Sequence, residues 1–223
     1  MHLKGIIFIK SSPKIKIKAF KPFLMLCCCM AAVMFTSCSD DEDTTLTPEE
    51  RQEAFQTIKG NYDGDLIYAK LDATGKDYVN DTLKVSWEID TDSTLTIANF
   101  PATPLATYIT NEEIGQAVAE QPAQELGCSI NIFDNSPIAF RINPASITYQ
   151  VDCDGEAHKV QFDFFVNYVY SYGVYNNFST INEADKGPKM QMQILVDKIS
   201  VDGKLQKETQ GQFVRLIVFR GKK

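Results

Sequence analysis

Histidine is nearly absent. The chain has two, and only His158 lies beyond residue 37. A Ser-His-Asp or Cys-His arrangement would have to be built on that one ring, and a zinc site would be short of ligands. His158 falls on an expected strand just after a turn, where a surface imidazole on a polar face accounts for it. Basic charge is scarce too. The first 37 residues hold six of the 22 basic residues and no acid, so the remainder carries 16 against 29 acidic residues, a formal charge of −13. Nucleic-acid binding rests on Lys and Arg neutralising phosphates, so such a chain is a poor candidate for it. Cysteine is thin after residue 37, where Cys38, Cys128 and Cys153 remain. The last two belong to no closely spaced Cys/His cluster, so no metal is expected. The acids do not converge either. Asp63 with Asp65, Asp90 with Asp92, and Asp152 with Asp154 and Glu156 all fall at expected turns, where Asp hydrogen-bonds its own backbone. Nothing selects a pair of them for glycoside hydrolysis. These absences argue against an enzyme and against a bound cofactor.

What is present begins at the N-terminus. Lys4, Lys10, Lys14, Lys16, Lys18 and Lys21 precede an apolar run of 13 residues, "FLMLCCCMAAVMF", at 23–35. A basic segment, a short apolar core and then small residues have the layout of an export signal. The core falls short of the ~20 residues that cross a bilayer as a helix. Residues 1–37 therefore read as a signal peptide, 38–47 as an acidic tether, and 48–223 as a single β-rich domain.

"FTSC" at 35–38 resembles a bacterial lipobox, with Phe35 in place of the usual aliphatic residue. The resemblance implies cleavage before Cys38, diacylglycerol on its sulfur and a further acyl chain on its amino group. Several chains anchor a protein stably, at about 0.8 kcal/mol per buried methylene. Ser39, Asp40, Asp41, Glu42 and Asp43 resemble the acidic export signal of surface-exposed Bacteroidetes lipoproteins. A short acidic run also cannot pack and is repelled by anionic headgroups, so it holds a domain off the membrane. The implied address is the outer membrane, at the cell surface.

The chain then turns to regular structure. Thr47, Pro48 and Glu50 supply an N-cap, a first helical position and a capping-box partner, predicting a helix over 48–58. Leu83, Val85, Trp87 and Ile89 alternate with polar residues, as in a half-buried strand, and "DTDS" turns it into "TLTIANF". Thr110 and Glu113 predict a capped helix over 111–120. Beyond residue 128 every segment reads as strand, with Asp154-Gly155 as a hairpin turn. The expected fold is mostly β, an antiparallel sandwich or partly open barrel with a short N-terminal helix and one inserted helix.

Three further features carry expectations. Val160, Phe162, Phe164, Val166, Tyr168, Tyr170 and Tyr172 share one face if 158–172 is one strand. The change from Phe to Tyr along that face suggests a rim where Tyr170, Tyr172, Tyr175 and Asn176 form a ligand platform, because each hydroxyl needs a polar partner. Cys128 and Cys153 share strand parity with apolar residues. A pair in an exported chain favours a disulfide. That bridge needs Pro144 to bend one long strand, whereas a second reversal there would leave two free thiols. Asp43-Thr44-Thr45, Asp81-Thr82-Leu83 and Asp92-Ser93-Thr94 resemble O-glycosylation triplets of Bacteroidetes exported proteins, which would place sugars on Thr44, Thr82 and Ser93.

Gly60-Asn61-Tyr62 after a short helix, with Arg215 and Arg220 in the last strand, is similar to the lipocalin pattern of Gly-x-Trp beneath a basic side chain, with Tyr62 replacing the Trp. As a whole the chain resembles small surface lipoproteins of gut Bacteroidetes, many grouped as domains of unknown function. The expectation is a non-enzymatic β-domain held to the membrane by lipid and binding a glycan, a small molecule or a protein. The alternatives are a structural subunit of a surface assembly, for which the C-terminal strand could be donated, and a lipocalin-like carrier of an apolar ligand.

Overall fold

A computed structural model describes residues 46–175, 189–207 and 215–223. Cys38, Ser39, Asp40, Asp41, Glu42, Asp43, Thr44 and Asn176 lie outside them.

The first helix, α1 (Pro48–Ile58), starts where the capping box put it. Thr47 Oγ1 accepts from the Glu50 amide, and the Glu50 carboxylate accepts from the Thr47 amide at 2.8 Å. Such a cap contributes about 1 kcal/mol. Lys59 leads directly into β1 (Gly60–Leu71), which pairs along its length with β2 (Tyr78–Thr91). A tight turn at Asp92-Ser93 returns the chain as β3 (Thr94–Phe100). Two short helices follow where one was expected, α2 (Thr103–Ala106) and α3 (Glu112–Ala119). The cap of α3 is Asn111, one residue later than the expected Thr110. Its side chain accepts from the Glu113 and Ile114 amides.

The next strands are β4 (Gln124–Asn135), β5 (Ile138–Pro144), β6 (Ile147–Cys153), β7 (Glu156–Phe164) and β8 (Tyr172–Tyr175). They are followed by β9 (Lys189–Val201), β10 (Lys204–Leu205) and β11 (Leu216–Lys222). Pairings run β1-β2-β3-β4-β5-β8-β9, and β11 pairs with both β9 and β1. The sheet therefore closes on itself as an eight-stranded antiparallel barrel in up-and-down order. This corrects the sandwich. Periodicity-2 patterning is the same in a sandwich and a barrel, and closure depends on the two contacts of β11. The C-terminal strand is accordingly held on both edges, so donating it to a partner would open the barrel.

The β6–β7 hairpin projects beyond the barrel. Both β7 and β8 run antiparallel to β9, so β6 continues the direction of β5. Pro144 thus bends one long strand, as expected. Arg141 and Ile147 are six residues apart, yet their partners Tyr172 and Phe162 are ten apart. The surplus forms an excursion over 165–171. The Asp154-Gly155 turn has φ of 53° and 80°, the left-handed pair that a two-residue hairpin requires.

Inside the barrel, Leu66, Trp87, Ile97, Ile130, Phe140, Met192 and Phe219 belong to one contiguous core. That core takes in Phe55 and Ile58 of α1 at one end, and Tyr108, Ile114, Tyr149 and Phe162 of the insertion and the projecting hairpin at the other. Tyr62 stacks on Trp87 at 5.6 Å, and its hydroxyl donates to Ile58 O. The cation over the Tyr62 ring is Lys223, 5.8 Å from the centroid, in place of the expected arginines. Arg220 donates to Gln191 Oε1 and Arg215 to the Asp197 carbonyl. Lys223 takes the position because it lies just beyond β11, at the end where β1 begins, and there it also donates to Thr57 O.

Candidate binding surface

The expected continuous aromatic strand breaks at Phe164. Its apolar alternation persists through Val166, Tyr168 and Tyr170, but the backbone leaves the sheet. Asn167 takes a φ of 52°, a left-handed conformation that Asn tolerates better than most residues. Its amide donates to Asn143 Oδ1 at 2.6 Å, and Asn143 Nδ2 donates to Asn167 Oδ1 at 3.1 Å. The Phe165 amide donates to Leu195 O and the Ser171 amide to Tyr168 O. Ser171 Oγ donates to Phe165 O, and Gln193 Nε2 donates to Tyr170 O. The excursion is therefore tied down along its whole length.

This backbone holds an aromatic ladder against the outer wall of the barrel. Phe165 packs with Ile67, Leu195, Leu216 and Val218. Tyr168 stacks on Phe165 at 4.6 Å, and Tyr170 meets Tyr168 edge-on at 5.5 Å. Beside them Val166 and Val169 stand 56% and 49% exposed. The loop thus holds two valines in water next to half-buried aromatic rings. It carries no carboxylate, amine, thiol or imidazole.

The three tyrosines of the expected platform are not brought together. Tyr170 belongs to the ladder. Tyr172 points out of the barrel and is buried with Phe133, Ala139 and Val174. Tyr175 points inward, buried in the main core near Tyr62. The break changes the parity, so Phe162 and Phe164 line the core while Tyr172, on the same face on paper, ends on the other side of the wall. Only the apolar pattern was visible in the sequence. The signal for the break was Asn167, the one residue there suited to a positive φ.

Cys128 and Cys153 are free thiols. Cys128 sits opposite Pro144, and because β6 runs on from β5, Cys153 lies nine residues further along. The bent strand is correct but carries the second cysteine away. Burial pushes the Cys128 thiol up to about 12, which leaves it inert. Cys153 is half-buried beside Asp154 and Glu113, their ligand atoms all within 4.8 Å of one another. A hydrogen bond to Asp154, and then that group's charge, raises the Glu113 carboxyl above its ordinary value. Cys153 and Asp154 stand together in the sequence, whereas Glu113 reaches them only through the packing of α3.

The remaining candidates have local roles. His158 Nδ1 lies 2.8 Å from Asp202 Oδ2, joining β7 to the β9–β10 turn. Thr82 and Ser93 are exposed, on β2 and at the β2–β3 turn. Asp81, which precedes Thr82, accepts from Tyr68, Lys70 and the Thr82 amide.

With this geometry in view, comparison with known families gives one assignment. Residues 57–201 match a family described as a domain of unknown function, DUF4840. The chain belongs to this family. The DUF4840 match takes in β1 to β9, including the aromatic excursion, and stops before β11, the strand that closes the barrel. No curated protein and no solved structure matches the chain.

Proposed function

We propose that this DUF4840 protein is a lipid-anchored binding module of the outer-membrane surface. The closed barrel is a rigid stand and loop 165–171 is the contact surface. The observation that carries this reading is the exposure of Val166 and Val169 on a backbone fixed by hydrogen bonds to β5 and β9. Apolar groups left in water stabilise nothing in the isolated chain, but they release their hydration when a partner covers them. The anchor follows from the basic, apolar and "FTSC" succession before Cys38. The acids after it support an address on the outer face of the cell. We read the module as non-enzymatic from the sequence, where His158 is the one imidazole beyond residue 37.

A second reading, a lipocalin-like carrier, is supported by the up-and-down closed barrel and the Lys223–Tyr62–Trp87 stack. Among the described residues, the buried indole N–H of Trp87 and the buried Tyr149 hydroxyl also lack hydrogen-bond partners. One experiment separates the two. The protein and its V166D/V169D variant are titrated with neutral polysaccharides, long-chain fatty acids and purified outer-membrane proteins. The module reading expects any binding to fall at least ~10-fold in the variant (~1.4 kcal/mol) with an unchanged melting temperature. Fatty-acid binding that the variant retains, and that Met192→Trp abolishes, would overturn it in favour of the carrier.

A further inference from the structure

We propose that loop 165–171 recognises a neutral carbohydrate, an inference that rests on the loop being the contact surface. Charge narrows the partner first. The loop reads Phe-Val-Asn-Tyr-Val-Tyr-Ser, without a charged side chain, in a protein of formal charge −7. An anionic polymer or membrane surface is repelled by the whole molecule, and a basic partner finds no carboxylate in the loop to pair with. A neutral partner remains.

The loop also presents a mixture of surfaces. Tyr168 and Tyr170, half-buried and in edge-to-face contact at 5.5 Å, keep part of their apolar surface in water, of the kind that covers the C–H face of a sugar ring. Val166 and Val169 add exposed apolar surface to the same loop. A lipid chain or an apolar protein groove needs nothing more, but this loop adds a directional donor. In the Asn143–Asn167 pair, Asn167 uses its backbone amide and its Oδ1. Its Nδ2 is left to donate, on a side chain whose orientation the pair already fixes. Apolar faces beside an oriented amide are what ring carbons and hydroxyls of a sugar require together.

The loop is also ordered in advance. The backbone of the excursion is already held by Asn143, Gln193, Leu195 and Ser171. Little conformational freedom remains to be lost on binding, which suits a ligand that gives weak individual contacts.

The test is affinity electrophoresis of the full-length protein in non-ionic detergent, through gels containing starch, xylan, mannan or laminarin, with alginate as an anionic control. Retardation by at least one neutral polysaccharide is expected, and none by alginate. The dissociation constant should rise at least ~10-fold in Tyr168→Ala and in Asn167→Asp, with thermal melts showing each variant folded. Asn167→Asp keeps the shape and removes the donor. A protein that passes all four neutral gels unretarded overturns the carbohydrate assignment. So does retardation that both variants keep. Loop-dependent binding to fatty acids or outer-membrane proteins alone also overturns it, while leaving the loop as the contact surface.

Discussion

Gly64 and Gly221 face each other across the β1–β11 seam. A Cβ on Gly64 would sit 2.0 Å from the Arg220 carbonyl oxygen, and one on Gly221 would sit 2.3 Å from the Trp87 ring. Both obstacles are fixed, one by the ladder and the other by the Tyr62 stack, so neither glycine can gain a side chain without parting the strands. Gly64→Ala should therefore cost at least ~1–3 kcal/mol in urea denaturation, the range for overpacking a rigid core. An unchanged midpoint would mean that the seam is not closed as described. Glu113 gives a second test at this scale. Its pKa is raised above the ordinary 4.5 by Asp154, so its contact stabilises the fold below about that pH and is lost as pH rises through the raised value. Melting temperatures measured from pH 4 to 8 should fall more with rising pH in the native protein than in Glu113→Gln. Parallel curves would remove the shared proton. None of these pairs was legible in the sequence. Gly64 and Gly221 are partners 157 positions apart, and Glu113 meets Asp154 only because α3 packs beside β6.

Local chemistry decided the elements that were read correctly. Thr47, Pro48 and Glu50 specify the start of α1 within one turn, and Asp154-Gly155 specifies its hairpin in two residues. The aromatic stretch was misread because alternation continues through a segment that leaves the sheet. Period 2 reports which side chains are apolar, and the unmet expectation was that their backbone stays paired. The difference has a thermal signature. Tyr172→Ala and Tyr175→Ala remove buried rings and should each cost about 3–5 kcal/mol. Val166→Asp and Val169→Asp alter exposed side chains and should stay within about 0.5 kcal/mol. Comparable losses in both pairs would mean that the excursion packs as strand after all.

At the scale of the whole molecule, the described residues form an eight-stranded barrel that, with its projecting hairpin and three helices, encloses the main core, and the aromatic loop stands outside it. Fold class was legible from composition and turn spacing, whereas closure was not, because it depends on the last strand meeting both the first and β9. The proposed address can be tested separately from the fold. Cys38→Ala should leave the domain folded but release it from membranes washed with carbonate, and a variant that stays in the membrane fraction would refute the lipid anchor. The most direct test of the account as a whole is an amide correlation spectrum of isotopically labelled protein, recorded as a retained polysaccharide is added. The account predicts shifts confined to Val166, Asn167, Tyr168, Val169, Tyr170 and their neighbour Asn143, with the Trp87 indole signal unmoved. Movement of Trp87 and Met192 while the loop stays still would contradict it and place the ligand inside the barrel.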